Sequence, residues 1–447
     1  MFKIIRNAWA IPELRKKMLY TLFIIIIFRI GAAVPVPFLD AEALKATIDA
    51  LTQSDPGTLV SYLNILSGGA FEYATLFAMS VTPYINASII MQLLSVAIPA
   101  LERLSKEGEE GRKKIAQITR YATVILGLIQ GFAYYMYLRN ATSAAGVRIL
   151  SVYDGTFYNI YVAAVIVLTF TAGSAMMMWL GEQINQKGIG NGISILLFAG
   201  IVSRGPDTVS RLIYWIQLGL QGGSNVKYLV FVPLVVIFFI IVVGFIVFMN
   251  SAERRIPVQY AKRVVGRKMY GGQSTHIPIK VNMSGVLPII FASSIISIPS
   301  TLKMFIYGNE QPNTVWYKIL NVFGTQNALY VIVYFVLIIL FAYFYVTIQY
   351  NPTEMANNLR KNSGAIPGIR PGKPTADFIQ KIIGRITLIG ALFLSVIAIL
   401  PIIISAATQI NIGMSGTSIL IMVGVALETV QQIESQMLMR HYKGFLE

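Results

Sequence analysis

Cysteine is absent from the 447 residues, and the two histidines, His276 and His441, lie far apart in the chain. The first absence excludes disulfides, thiolate zinc clusters and cysteine nucleophiles. The second leaves no basis for a histidine metal site. Charge is also scarce. Asp, Glu, Lys and Arg make up 13% of the chain, against roughly 25% in soluble domains, so the sequence reads as a polytopic membrane protein. Acids are nearly missing from the apolar runs: Glu428 falls late in the last of them and Glu72 precedes the second. An ion-coupled carrier needs ionisable groups near mid-bilayer, and this chain offers almost none. There is no G-x-x-x-x-G-K-[ST] string, hence no Walker ATPase. The glycines of 187–193 (KGIGNGI) follow a membrane helix rather than a strand, so close helix packing or a tight membrane entry is a better reading of them than nucleotide binding.

What the chain has in abundance is long apolar runs, with 55% of residues hydrophobic. A span takes about 20 mostly apolar residues. Ten stretches qualify: 18–37, 74–98, 117–138, 156–180, 188–203 (short and glycine-rich), 226–249, 282–302, 328–350, 382–404 and 413–436. The first is too long for a signal-peptide core and has no Ala-x-Ala site, so it is expected to be retained. Ten spans put both termini on one side. Twenty-seven of the 36 Lys and Arg fall on that side, which the positive-inside rule makes the cytoplasm. Five spans before about residue 205 and five after it enter with opposite orientation. This suggests an inverted repeat, with halves 1–205 and 206–447 and any path at their interface.

The stretch from Ser61 to Leu94 organises the rest. A short apolar segment breaks at Gly68-Gly69, and a helix-type run carrying Pro83, Asn86 and Gln92 is expected to follow. Free glycines permit a sharp bend, and polar groups at membrane depth need a protein-lined or watery setting. Val81 and Ile85 share one helical face, as do Ile193 and Leu197. Facing a water path, such residues would form an apolar constriction; facing lipid or other helices, they are ordinary packing. Arg29, in the first run, reads as a snorkelling side chain. The loops 38–60 and 204–225 are polar and amphipathic, and are assigned to the outer surface.

Two basic loops are longer than orientation alone requires. Residues 250–281 alternate basic and apolar side chains, with strand-like runs around Ile256–Tyr260 and an expected turn at Gly271-Gly272. Residues 351–375 hold four prolines and three glycines and are expected to form an ordered loop of turns. Anionic lipid, RNA or an acidic protein surface would each suit these charges.

The chain also resembles the SecY family of translocation-channel subunits over essentially its full length. The match is carried by FRIG at 28–31, SGGA at 67–70, PYI at 83–85, GEEGRKK at 108–114, WLGEQ at 179–183 and GIGNGIS at 188–194. It continues through YAKR at 260–263, QSTH at 273–276, KVNM at 280–283, NP at 351–352 and PGIRPG at 367–372. The resemblance implies an all-α clamshell of ten transmembrane helices, in two inverted five-helix halves around a central pore. It implies a pore ring at Val81, Ile85, Ile193, Leu197, Ile290 and Ile421. The implied plug falls on about 61–71, including Leu63, Ile65, Leu66, Ser67, Gly68 and Gly69. A lateral gate between spans two/three and seven/eight is implied, with Asn86, Gln130 and Asn282 at its polar positions. Docking of the SecA motor ATPase or the ribosome is implied on loops 250–281 and 351–381, at Arg254, Arg255, Lys262, Arg263, Arg267, Lys268 and Arg370. The implied partners are SecE, SecG, SecA, the ribosome, signal sequences with unfolded preproteins, and anionic lipids, all at the bacterial cytoplasmic membrane. No cofactor, metal or catalytic residue is implied. A small-molecule transporter and a non-conducting insertase or scaffold are the competing classes.

Overall fold

Long apolar runs can satisfy their own backbone only as helices when water is excluded, and the computed structural model is mostly helical. It describes residues 2–54, 64, 67–140, 149–150, 156–221, 226–260, 263–265, 268–270, 274–307, 314–324, 327–408 and 416–443. In chain order the helices are α1 (Phe2–Ala10), α2 (Pro12–Gly31), α3 (Ala41–Ser54), α4 (Thr82–Ala97), α5 (Pro99–Lys106), α6 (Glu109–Asn140), α7 (Thr156–Lys187), α8 (Gly192–Ser203), α9 (Gly205–Leu220) and α10 (Lys227–Ser251). Strands β1 (Glu253–Tyr260), β2 (Arg263–Val265), β3 (Lys268–Tyr270) and β4 (Ser274–Lys280) follow, then α11 (Leu287–Tyr307), α12 (Val315–Val322), α13 (Ala328–Gln349) and α14 (Pro352–Lys361). The chain closes with β5 (Gly364–Ala365), α15 (Lys373–Thr408) and α16 (Gly416–Lys443).

A helix lies in each of the ten stretches expected to span. Six of the described helices are long and apolar enough to cross a membrane on their own, and seven if α4 and α5 count as one bent span. The two axes of that pair differ by 105°. Pro99 opens α5, and Ile98 before it is extended (φ −107°, ψ 113°), as a residue preceding proline prefers. Large apolar side chains such as Val230, Ile240 and Phe248 of α10 are well exposed, as expected of a helix that is apolar all round and faces lipid.

The second expected span needs correction. Residues 74–81 are not helical: the chain runs through turns from Ser67 and enters α4 only at Thr82. Ala74 and Ser80 take positive φ (44° and 51°), which no helix accommodates. Pro83 sits in the first turn of α4, where a proline starts a helix rather than continues one. The irregular stretch is held by the Leu76 amide donating to the Val34 carbonyl (2.9 Å) and the Val36 amide to the Ala74 carbonyl (3.0 Å). The loops at 38–60 and 204–225 also contain helices, α3 and α9.

The main apolar cluster draws on both expected halves. Ile24, Phe28, Val81, Leu196 and Leu197 come from the first, and Val242, Ile246, Ile290, Leu394 and Ile421 from the second. Helix α8 packs on α16, and α6 touches α11. The glycines of 188–192 serve close packing, as their sequence suggested. Asn191 caps α8 by accepting from the Ser194 amide, and the Gly192 amide donates to Asn185 Oδ1 at 2.7 Å. A Cβ on Gly192 would lie 1.9 Å from the Gly181 carbonyl oxygen of α7. That neighbour is backbone and cannot step aside. Gly192→Ala is therefore expected to destabilise the protein by about 2 kcal/mol or more, read as a lowered melting temperature in detergent.

Candidate functional site: an apolar waist, a clasped segment and a basic platform

The six residues assigned to the ring fall in one apolar cluster. Val81, Ile85, Leu197, Ile290 and Ile421 are buried, each at most 8% exposed, and Ile193 is half-buried against them. Val81 caps α4 and its carbonyl accepts the Ile85 amide (3.0 Å), so the pair occupies the opening turn of that helix. Ile193 and Leu197 are successive turns of α8, Ile290 is in the first turn of α11, and Ile421 is near the start of α16. Four helix beginnings thus meet in one cluster, and the only side chains the six contribute are aliphatic. Ile193 also leans on α7, where a Cβ on Gly181 would come within 2.5 Å of its Cδ1.

Of the residues assigned to the plug, Leu63, Ile65 and Leu66 lie outside the described residues. Ser67 is fully buried, and Gly68 and Gly69 take φ of +66° and +89°, the left-handed region glycine supplies without steric cost. Gly68 also permits a close approach: a Cβ there would lie 2.9 Å from the Gly200 backbone of α8. Ser67 Oγ accepts the Phe71 amide (3.0 Å). The Gly68 carbonyl accepts from Ser203 Oγ (3.4 Å) and from Arg29 Nη1 (3.5 Å). Arg29 is exposed as expected of a snorkelling side chain, but its guanidinium has a backbone partner that the sequence did not suggest.

The three gate amides are not joined by hydrogen bonds. Asn86 and Gln130 are half-buried on α4 and α6, helices that pack together. Asn282 instead donates from Nδ2 to Asn250 Oδ1 at the end of α10 (2.9 Å), and its own Oδ1 is buried without a partner. Its backbone lies against Gly390 of α15.

The basic loops form one body rather than two. Strand β1 pairs antiparallel with β4 from Glu253↔Lys280 to Gln259↔Ser274. Its far end pairs with β5 through Gln259↔Ala365 and Tyr260↔Gly364. Strands β2 and β3 reverse direction between Val265 and Lys268, ahead of the turn expected at Gly271-Gly272, which lies outside the described residues. The second loop is not only turns, because it contains α14. Asn351 Oδ1 accepts from the Thr353 and Glu354 amides and Pro352 opens the helix, a capping signal that its prolines and glycines hid. Ile256, Val258, Ile279, Leu359, Ile366 and Ile383 make a separate core under the sheet.

Arg254, Arg255 and Arg370 are exposed on this platform. Arg255 Nε pairs with Glu253 at 2.7 Å, and the Arg370 backbone is tied by Thr375 Oγ1 (2.8 Å). Arg263 and Lys268 lie in β2 and β3, while Lys262 and Arg267 lie outside the described residues.

This arrangement of helices is known from solved structures. The fold is similar to that of a protein conducting channel, with a TM-score of 0.65 at 18% identity over 96% of both chains. It is also similar to Sec61 in the canine ribosome–channel complex from the endoplasmic reticulum, at 0.61 and 17% over 96% of both. The molecule is thus a multi-pass membrane protein with the fold of the protein-conducting channels. In sequence, the chain is 43% identical over 443 residues to the protein translocase subunit SecY of Mycobacterium tuberculosis, covering 97% of each. It is 42% identical over 454 residues to that of Thermotoga maritima, covering 100% of this chain and 98% of the relative. The family model described as SecY matches residues 75–430. The chain belongs to the SecY family, a family of channels rather than enzymes.

Val258 is fully buried beneath the sheet. Val258→Asp would place an unpaired carboxylate in that core, which costs several kcal/mol. The variant is expected to make the 253–280 sheet protease-sensitive while the long helices keep their far-ultraviolet circular dichroism, measured together on detergent-solubilised protein.

Proposed function

We propose that this chain is the channel subunit of a bacterial protein translocase. It moves unfolded polypeptides outward across the cytoplasmic membrane and releases apolar segments sideways into lipid. The observation that supports this reading best is the convergence of six aliphatic side chains from α4, α8, α11 and α16 into one cluster bridging the two halves, in a chain of the SecY family. A polypeptide of any sequence needs a constriction without fixed charges or hydrogen-bonding groups, since these would hold some segments and stall them. Aliphatic side chains seal against water and ions by dewetting and yield to a passing chain.

In this reading ten helices span in two inverted halves, 1–205 and 206–447, with both termini cytoplasmic. The segment around 61–71 is the plug, and its glycines let it swing away. Asn86, Gln130 and Asn282 weaken the packing of a lateral gate, and so set how hydrophobic a signal sequence must be to part it. SecE and SecG complete the complex, and anionic lipid suits its basic surface. Energy comes from partners: the platform built by β1, β4, β5 and α14 presents Arg254, Arg255 and Arg370 to SecA or to the ribosome, with Lys262, Arg263, Arg267 and Lys268 on the same loop.

A crosslinking experiment tests the path. The chain has no native cysteine, so single cysteines at Ile85, Ile290 and the exposed Ile240 carry no background. A secretory protein with one cysteine, stalled in transit, is expected to form disulfides at the two ring positions and not at Ile240. Absence of both ring crosslinks with a demonstrably stalled chain would return the protein to the scaffold or transporter classes. Docking is tested separately. Arg370→Glu reverses an exposed charge on an ordered turn, and is expected to reduce motor-driven export in inverted vesicles by at least about tenfold without changing the melting temperature.

A further inference from the structure

Directly behind the segment assigned to the plug lies a buried polar network that neither the ring nor the gate uses. The Glu72 side chain, 7% exposed, receives Arg204 Nη2 at 3.1 Å, and the Arg204 side chain is 13% exposed. Asn64 Nδ2 donates to the same carboxylate oxygen, and Asn64 Oδ1 accepts the Glu72 amide at 3.2 Å. Arg204 sits at the corner where α8 ends and α9 begins, next to Ser203 on the Gly68 carbonyl. From the opposite side, Tyr134 Oη of α6 donates to the Phe71 carbonyl at 2.8 Å. Residues 67–72 have no helix or strand of their own, so these side-chain bonds hold them, together with turn bonds such as the Gly69 amide to the Asn64 carbonyl at 2.9 Å.

We propose that Glu72 and Arg204 are positioning residues that latch this segment in the shut channel, and thereby set how apolar a signal sequence must be to open it. The inference rests on the channel reading above. A buried ion pair is weak evidence for net stability, but parting it without water leaves two uncompensated charges. The segment therefore has two good states: seated with the pair closed, or displaced with both charges hydrated. Intermediate positions are disfavoured, which is the property a gate requires. Asp207 makes release possible. Its carboxylate already stands 3.7 Å from Arg204 Nε and is 62% exposed, so Arg204 has a second partner facing water when Glu72 leaves.

The test uses the whole complex in planar bilayers, and in cells a reporter whose signal sequence is weakened by one charge. Glu72→Gln is isosteric and Arg204→Gln leaves a shorter polar side chain; each removes one charge. Both are expected to raise resting ion conductance and export of the weakened reporter on the order of tenfold, less than a fully dry pair would give because water reaches Arg204. The exchange Glu72→Arg with Arg204→Glu is expected to bring both readouts back toward the parent. Asp207→Asn, at an exposed position in the first turn of α9, removes the second partner and is expected to lower export of the weakened reporter. A role in folding alone would move melting temperatures without these opposite signs. Ile85→Asn serves as the leaking control. Single variants that match the parent while this control leaks would overturn the latch alone, and a silent control would overturn the ring reading and the latch with it.

Discussion

Lipid offers no hydrogen bonds, and this constraint shapes the molecule more than any side-chain preference. Every backbone amide at membrane depth must find a partner within the protein. The long helices meet the demand internally. The stretch from Ser67 to Val81 meets it only in part, through turn bonds such as Thr75 to Ala70 and Ser80 to Phe77. Val34, Val36, Asn64, Tyr134, Ser203 and Arg29 supply or receive others. The helices around it are arranged to make that enclosure possible. Gly200 allows the chain at Gly68 to lie against α8, and the opening turn of α4 then presents Val81 and Ile85 to the central cluster. An irregular segment buried in protein is what the bilayer tolerates where a path or a closure is built.

The same constraint explains how much could be read in the sequence. Run length located all ten helical stretches, and the strand-like run around Ile256–Tyr260 pointed to β1, because both signals are local. The resemblance assigned six ring residues that the structure gathers into one cluster. Local signals failed where tertiary partners override them. Residues 74–81 are apolar enough to read as helix, yet Ala74 and Ser80 take positive φ, and the backbone of Ala74 and Leu76 bonds instead to Val36 and Val34. Helix α14 was masked by the composition of its loop, although the Asn351–Pro352 cap was there to be seen. The pairing of β1 with β5 and the bond between Glu72 and Arg204 join residues far apart in the chain. Neither leaves a mark on its own segment. Asn282 shows the limit of analogy by position: the motif locates it, but only the structure shows that its amide faces Asn250.

In the proposed reading, the apolar cluster and the polar latch divide one task by chemistry. Aliphatic contacts are non-directional and deform gradually, which suits a seal that must accept many chains. Charged contacts are directional, and within low dielectric they are costly to part without water, which suits a decision between two positions. In that reading, the first governs passage and the second governs admission.

The platform has a mechanical consequence. Strand β1 leaves α10 almost without a break, β4 leads through a short turn into α11, and the chain after β5 enters α15 within a few residues. Lys280 also reaches Gln431 of α16 at 2.9 Å. The sheet is therefore a crossbar rigidly tied to four members of one half, and among the described strands none comes from the other half. In the proposed reading, a load on it would act on that half, which meets the other through α8 and α1 on α16 and through α6 on α11. In that reading, a partner docked here would act on those helices from a distance, with no contact of its own with the apolar cluster.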